Sequence, residues 1–177
     1  MQDKYYITEV TSFLGPITLA SDGTFLKGAW FKGQKYFGAS VKGTPERKDD
    51  LDVFDRVRDW LAIYFAGKNP PIDQLDLQPE GSPFRKRVWQ ILCEIPYGET
   101  TTYKEIANKI AAEKQIETMS PQAVGGAVGH NPISIIIPCH RVLGTDGSLT
   151  GYAGGLDKKR KLLELENAVG HKIGDLK

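Results

Sequence analysis

"SPQAVGGAVGHNPISIIIPCHRV", residues 120 to 142, runs from a helix start through an apolar run into a thiol beside an imidazole. Ser120 suits an N-cap, and Pro121 suits the first helical position, where no backbone N–H is needed. The pattern predicts a helix over "QAVGGAVGHN", stopped by Asn131-Pro132, because a residue before proline avoids helical geometry. "ISIII", 133–137, then reads as a short buried strand that ends at Pro138. Adjacent side chains on a strand point to opposite faces. Cys139 and His140 can therefore meet only if the chain turns there, or through a bridging water.

Upstream, the pattern is helical. Ser82-Pro83 repeats the N-cap and proline signal, and Phe84, Val88, Ile91, Leu92 and Ile95 follow on one face. "IPYGE" ends that helix, and Thr102 with Glu105 fits a capping box opening "YKEIANKIA". Two successive capped helices before a strand suggest a helix-turn-helix, although the connection "AEKQIETM" is longer than the usual turn of about three to four residues. The alternative is an ordinary helical subdomain. Downstream, "GTDGSLTGYAGG" is rich in turn residues, and Asp157 is a candidate cap for a last helix, "KKRKLLELENAV".

The first part reads differently. "YYITEVTSF", "GPITLA" and "FLKGAWFKG" are β-branched and aromatic runs separated by turn signals. "LDVFDRVRDWLAIYFAG" has apolar residues near helical spacing and Gly67 as a stop. "KNPPIDQLDLQPEGSP" reads as a linker. The expected organisation is an N-terminal α/β domain with linker over 1–79 and a mainly helical domain over 80–177.

Composition narrows the classes. The chain has 177 residues, 40% hydrophobic and 25% charged, which suits a soluble folded protein. No apolar run approaches the roughly 18 residues of a membrane span. The start lacks a signal-peptide pattern, so a cytoplasmic location is expected. Cys93 and Cys139 are too few for a disulfide scaffold, and with three histidines they form no zinc-type spacing. No metal or cofactor is expected. The net charge of +1 neither suggests nor excludes nucleic acid. Residues 82–166 hold eleven basic and nine acidic side chains.

A thiol near its unperturbed pKa of about 8.5 is a poor nucleophile unless a base takes its proton or a positive field stabilises the thiolate. His140 is the candidate base for Cys139. A histidine in this role needs an orienting carboxylate, and Glu166, beside Leu162, Leu163 and Leu165, is a candidate. The competing readings are a small buried hydrophobe for Cys139 and a solvated helix charge for Glu166.

Together, "IPCHRV", "GYAGGL", "AVGGAVGHNP" and "VWQILCEIPYGETTTYKEIA" resemble the O6-alkylguanine-DNA alkyltransferases, also called methylated-DNA–protein-cysteine methyltransferases. The resemblance is specific over roughly 82–169. It implies an α+β architecture: a ribonuclease H-like N-terminal domain and a winged-helix-like C-terminal domain containing a helix-turn-helix. It implies irreversible transfer of an alkyl group from O6-alkylguanine to Cys139 in one stoichiometric turnover, with O4-alkylthymine open as a second substrate. His140 would act through a water and Glu166 would orient it. The target nucleotide must leave the duplex, and the resemblance implies minor-groove binding by a monomer.

By resemblance, Tyr103 helps rotate the nucleotide and protonates guanine N3, and the carbonyls of Cys139 and Val142 receive the guanine amino group. The Tyr152-Ala153 backbone donates to O6, and Asn131 braces the turn before the acceptor. Thr102, Tyr103, Gln122, Ala123, Gly125 and Gly126 would meet DNA, the glycine pair allowing close approach; the plain alternative is that they relieve helix packing. Gln122 stands where many members have an arginine, which predicts a smaller salt dependence of binding. Ala153 stands where some have a serine, and Ser134 where some have a proline. The main rival is an alkyltransferase-like sensor that binds alkylated DNA without repairing it. Such proteins lack the reactive cysteine.

Overall fold

The computed structural model describes residues 3–167. It divides into two compact units. The first runs to Gly81 and takes in Pro132–Ile136. The second comprises Ser82–Asn131 and the chain from Ile137.

In the first unit, β1 (Lys4–Val10), β2 (Ile17–Ser21), β3 (Leu26–Phe31) and β4 (Thr44–Arg47) form one sheet in the order β3-β2-β1-β4. β1–β2 and β2–β3 are antiparallel, whereas β4 joins β1 in parallel, giving a mixed sheet. The helix α1 (Asp52–Phe65) buries Val53, Phe54, Val57, Trp60, Leu61 and Tyr64. With Leu19, Ala20 and Leu26 these form the unit's core. Each such large apolar side chain contributes about 1.5–3 kcal/mol on burial. Trp60 Nε1 also donates to the Pro71 carbonyl at 2.9 Å, fixing the linker.

The second unit is built on helices. α2 (Pro83–Cys93) and α4 (Pro121–Gly129) start where the Ser-Pro pairs predict. Ser82 accepts from the Arg85 amide and Ser120 from the Ala123 amide, each satisfying an otherwise unpaired N–H. α3 (Tyr103–Lys114) is capped by Thr102, which accepts from Glu105 N. The expected capping box is only half formed, because the Glu105 carboxylate takes the Thr101 hydroxyl instead, at 2.6 Å. α3 and α4 pack as a helix-turn-helix, and Trp89 Nε1 ties α2 to α4 through the Ala127 carbonyl at 2.8 Å. β5 (Thr101–Thr102) pairs in parallel with β6 (Val142–Leu143).

Two sequence expectations are corrected. α5 (Leu156–Leu165) has Gly155 at its N-cap and no side-chain cap; Asp157 lies inside the first turn and pairs with Lys161. The end of the predicted "KKRKLLELENAV" helix, Ala168-Val169, lies outside the described residues. "ISIII" is buried as expected but is not a strand. Only Ile133 bridges, to Ala29, and Ile135 sits at φ 73°, a backbone region that a β-branched residue rarely occupies. Pro132 and Pro138 lack the N–H groups a ladder needs, and the chain turns back on itself through Ile136 N→Ser134 O and Cys139 N→Ile137 O. Ser134 donates to Gln34 Oε1 at 3.2 Å, so its hydroxyl serves the first unit's framework. Among the described residues, no helix is long and apolar enough to cross a membrane.

Candidate functional site

The turn that sequence reasoning required is a short 3-10 helix, Cys139–Arg141. Its three side chains are buried. β6 follows at once and binds Thr101–Thr102, so the Cys139–Arg141 turn is held next to the start of α3.

Asn131 fixes the approach to that turn. It is buried, and its Nδ2 donates to the Ile137 carbonyl at 2.8 Å. Burial pushes the Cys139 thiol up. A hydrogen bond from Asn131, the charge of Lys159 and the Cys139 backbone N–H act the other way, favouring the thiolate. The resting sulfur is a protonated thiol with stabilisers for its anion already in place.

Glu166 is not a solvated charge. It lies just past the end of α5, buried, with its carboxylate held by His140, Arg141 and the Gly98 amide. Its Oε2 is 2.6 Å from His140 Nε2. Arg141 donates from Nε to Oε1 at 2.8 Å and from Nη2 to Oε2 at 3.1 Å, a two-pronged grip. Arg141 Nη1 also donates to the Ile95 carbonyl at 2.7 Å, anchoring the end of α2. Burial alone would raise the Glu166 carboxyl; His140 and Arg141 overcome it and hold it down to about 2. Burial keeps His140 below its ordinary range, with Arg141 and Lys159 adding to that, so the imidazole is neutral. An ionised carboxylate only accepts, so Nε2 carries the ring proton and Nδ1 the lone pair. Nδ1 is then the basic atom of the ring.

Tyr103 opens α3 and is half-buried. Its hydroxyl donates to the Thr150 carbonyl at 3.1 Å. Burial, then the proximity of Cys139, raise its phenol, so it keeps its proton. The exposed face of the helix-turn-helix carries Gln122, Ala123 and Gly126, with Gly125 and Thr102 half-exposed. A Cβ on Gly126 would meet nothing within 4 Å, and one on Gly125 would meet only the Tyr103 ring, at 3.8 Å. Packing among the described residues therefore does not demand either glycine, and the space above them is open. Tyr152 and Ala153 are half-buried in the turn before α5, and burial pushes the Tyr152 phenol well up.

Lys159 was missed by sequence reasoning. It is fully buried, and its ammonium donates to the carbonyls of Val142 at 2.6 Å, Thr150 at 3.0 Å and Gly151 at 3.1 Å. It therefore ties β6 to the turn-rich segment and shares the Thr150 acceptor with Tyr103. Burial lowers its pKa to about 8, with the Cys139 charge opposing. Replacing Lys159 with Met keeps the stem but leaves those carbonyls without their donor. The expected result is a Cys139 thiol that titrates at higher pH, read from its reaction with a small disulfide reagent across pH. The wild type should approach the variant's behaviour as pH rises through about 8, where the ammonium loses its proton. Identical profiles would remove Lys159 from the electrostatics of the thiol. Cys93, half-buried on α2, is pushed up to about 11 by burial, which the Arg141 charge offsets only in part and the Glu94 charge reinforces.

Similarity to known proteins covers both units. Residues 83–168 match the 6-O-methylguanine DNA methyltransferase DNA-binding domain, and residues 4–79 match the ribonuclease-like domain of the same family. The chain is 48% identical over 162 residues to a methylated-DNA–protein-cysteine methyltransferase of Methanosarcina barkeri, covering 91% of this chain and 96% of that one. It is 46% identical over 160 residues to the protein of that name from Mycobacterium tuberculosis H37Rv, covering 90% of each. A crystal structure of Mycobacterium tuberculosis OGT in complex with DNA superposes with a TM-score of 0.75, at 42% identity over 92% of each chain.

Proposed function

The chain belongs to the O6-methylguanine DNA methyltransferase family, and on that premise we propose that it repairs O6-alkylguanine in DNA by taking the alkyl group onto Cys139. The observation that carries this reading is the buried Cys139–His140–Glu166 arrangement, with Asn131 bonded at the thiol and Glu166 bonded to His140.

The step runs as a displacement at the alkyl carbon. Cys139 gives its proton, by way of a water, to His140 Nδ1. The sulfur–carbon bond forms as the carbon–O6 bond breaks, and the electron pair stays with the guanine. Tyr103 supplies a proton to guanine N3. Glu166 keeps the His140 ring oriented and balances the imidazolium that forms. The product thioether has no second nucleophile to remove it, so each protein acts once.

Substrate recognition follows the same residues. The flipped guanine presents its amino group to the carbonyls of Cys139 and Val142 and its O6 to the backbone of Tyr152 and Ala153. Thr102, Tyr103, Gln122, Ala123, Gly125 and Gly126 meet the minor groove, where Gln122 stacks and hydrogen-bonds into the gap left by the flipped base and, unlike an arginine there, brings no charge. The division of labour falls near residue 80, with recognition and transfer in residues 80–177. The protein acts as a monomer on each lesion. A lesion-binding sensor is the second reading, and the reactive thiol disfavours it.

The test is incubation with duplex DNA carrying one O6-methylguanine, followed by mass spectrometry of the peptides. A single methyl group on Cys139, at no more than one per protein, is expected. Binding of the lesion with no modification would replace repair with sensing. Tyr103→Phe keeps the ring and loses the proton. Its single-turnover rate should fall by about ten- to a hundredfold, within the range of general-acid contributions. An unchanged rate would remove Tyr103 from proton transfer.

A further inference from the structure

Tyr103 holds the proton that guanine N3 is to receive, and that proton is already in use. A phenol has a single O–H, and Tyr103 donates it to the Thr150 carbonyl at 3.1 Å. Burial, with the proximity of Cys139, keeps the phenol protonated. One proton cannot serve two acceptors, so the bond to Thr150 must open before a flipped guanine can take it. The ring has room for that change. A Cβ on Gly125 would meet the Tyr103 ring at 3.8 Å, and one on Gly151 would meet the Tyr103 hydroxyl at 3.7 Å. Two of the positions flanking this side chain therefore carry no side chain of their own.

The Thr150 carbonyl has a second donor, Lys159 Nζ, at 3.0 Å. Thr150 itself is exposed and lies between β6 and α5, outside any helix or strand. Lys159 is fully buried on α5 and also holds the Gly151 carbonyl at 3.1 Å and the Val142 carbonyl of β6 at 2.6 Å. An ammonium has three N–H groups, and these three carbonyls take them. Its Nζ lies 5.9 Å from the centroid of the Tyr103 ring. Lys159 therefore acts on Tyr103 through their shared acceptor and not by handing it a proton. Two donors divide the lone pairs of one carbonyl, and the charged donor is the stronger claimant. Held in this way, the carbonyl stays in place when the phenol swings away. Without Lys159, its remaining donor among the described residues is Tyr103, and an unsupported turn can follow the ring with the bond intact.

We propose that Lys159 is a positioning residue for Tyr103: it fixes the Thr150 carbonyl as a resting latch, which lets go of the phenol when a flipped guanine presents N3. This rests on the reading that Tyr103 protonates guanine N3. The latch keeps the hydroxyl bonded while the site is empty, and the anchored carbonyl makes the exchange of acceptors a movement of the Tyr103 side chain alone.

The experiment uses the full chain, with Lys159→Met made in two backgrounds, wild type and Tyr103→Phe. Single-turnover methyl transfer from a duplex with one O6-methylguanine, at saturating protein, gives the four rates, and thermal melting checks the fold. Any effect of Lys159 on the Cys139 thiol acts in both backgrounds and drops out of the comparison. Lys159→Met should slow transfer by a factor at least about fivefold larger where Tyr103 is present than in Tyr103→Phe. Equal slowing in the two backgrounds would overturn the proposal and leave Lys159 a structural and electrostatic element. A second change weakens the latch from its other side: an ester in place of the Thr150–Gly151 amide, which makes the Thr150 carbonyl a poorer acceptor. It should speed transfer by about two- to fivefold in the wild-type background, the worth of part of one hydrogen bond, and leave the Tyr103→Phe rate unchanged. No gain with Tyr103 present, or the same gain in both backgrounds, would overturn the latch even where Lys159→Met does not fold. A wild type that takes up no methyl group would end the repair reading itself. Transfer that Tyr103→Phe leaves unchanged would remove the proton-transfer premise, and the latch with it.

Discussion

Cys139→Ala is expected to take no methyl group from O6-methylguanine in duplex DNA and still to bind that DNA within about threefold of wild type. The transfer loss should be complete, because the site has no substitute nucleophile. Cys93 is the other thiol, and burial pushes it up to about 11, so it offers almost no thiolate near neutrality. Cys139 is also buried, yet it alone has Asn131, Lys159 and a backbone N–H favouring its anion. Binding should survive because the exposed residues of the helix-turn-helix lie on α3 and α4, and alanine removes only one buried sulfur from the 3-10 turn. Single-turnover transfer and anisotropy on the same oligonucleotide measure both halves. Residual transfer at a rate near wild type would show that another group is the acceptor. Lost binding together with lost transfer would mean that Cys139 is structural.

Much of this arrangement was legible because it rests on local rules. The Ser82-Pro83 and Ser120-Pro121 pairs located two helix starts, since a hydroxyl cap and a proline act within one turn. The Cys-His-Arg sequence, together with the need for a turn, anticipated the 3-10 geometry in kind. "ISIII" was misread because burial and β-branching are what a buried strand requires, and all five residues are indeed buried. What the periodicity could not express is the pair of flanking prolines and the strained Ile135, which leave the run with one bridge instead of a ladder. β4 was missed for the opposite reason. "TPER" is exposed, contains a proline and shows no apolar alternation, and it is a strand only because β1 offers it an edge.

The charged ends of α5 carry a different lesson. Lys159, Leu162, Leu163 and Glu166 follow at i, i+3, i+4 and i+7, so all four share one face. Two charges at the ends of a leucine stripe look like solvated flanks, and Lys159 is further disguised within a run of basic residues. Yet that face is the buried one, and each charge enters a polar cluster prepared for it: three carbonyls for Lys159, and His140 with Arg141 for Glu166. A period-based reading that scores charge as exposure loses such residues. One that first asks which face they occupy can recover them.

Glu166→Gln tests that cluster and should be the most destabilising conservative change in the second unit. The amide keeps the size of the side chain but leaves the Arg141 guanidinium buried without its counter-charge. Removing one partner of a buried pair costs about 3–5 kcal/mol. The pH dependence gives an independent measure. The folded carboxyl lies at about 2 against an ordinary value of 4.5, so the unfolded chain binds the proton more readily. Ionised Glu166 therefore contributes stability that is fully present above about pH 5. That contribution is lost as pH falls toward 2, and amounts to about 3 kcal/mol. Denaturant unfolding across this window should show that loss in the wild type, and its absence in Glu166→Gln should flatten the profile. Pairing the change with Arg141→Met removes the orphaned charge and should recover most of the stability. Transfer should stay at least about tenfold slow in the double variant, because His140 still lacks the carboxylate that sets its proton and balances its charge. A double variant that regains both stability and rate would reduce Glu166 to a packing element. A single Glu166→Gln variant as stable as wild type would mean that the Arg141–Glu166 pair contributes nothing to the fold.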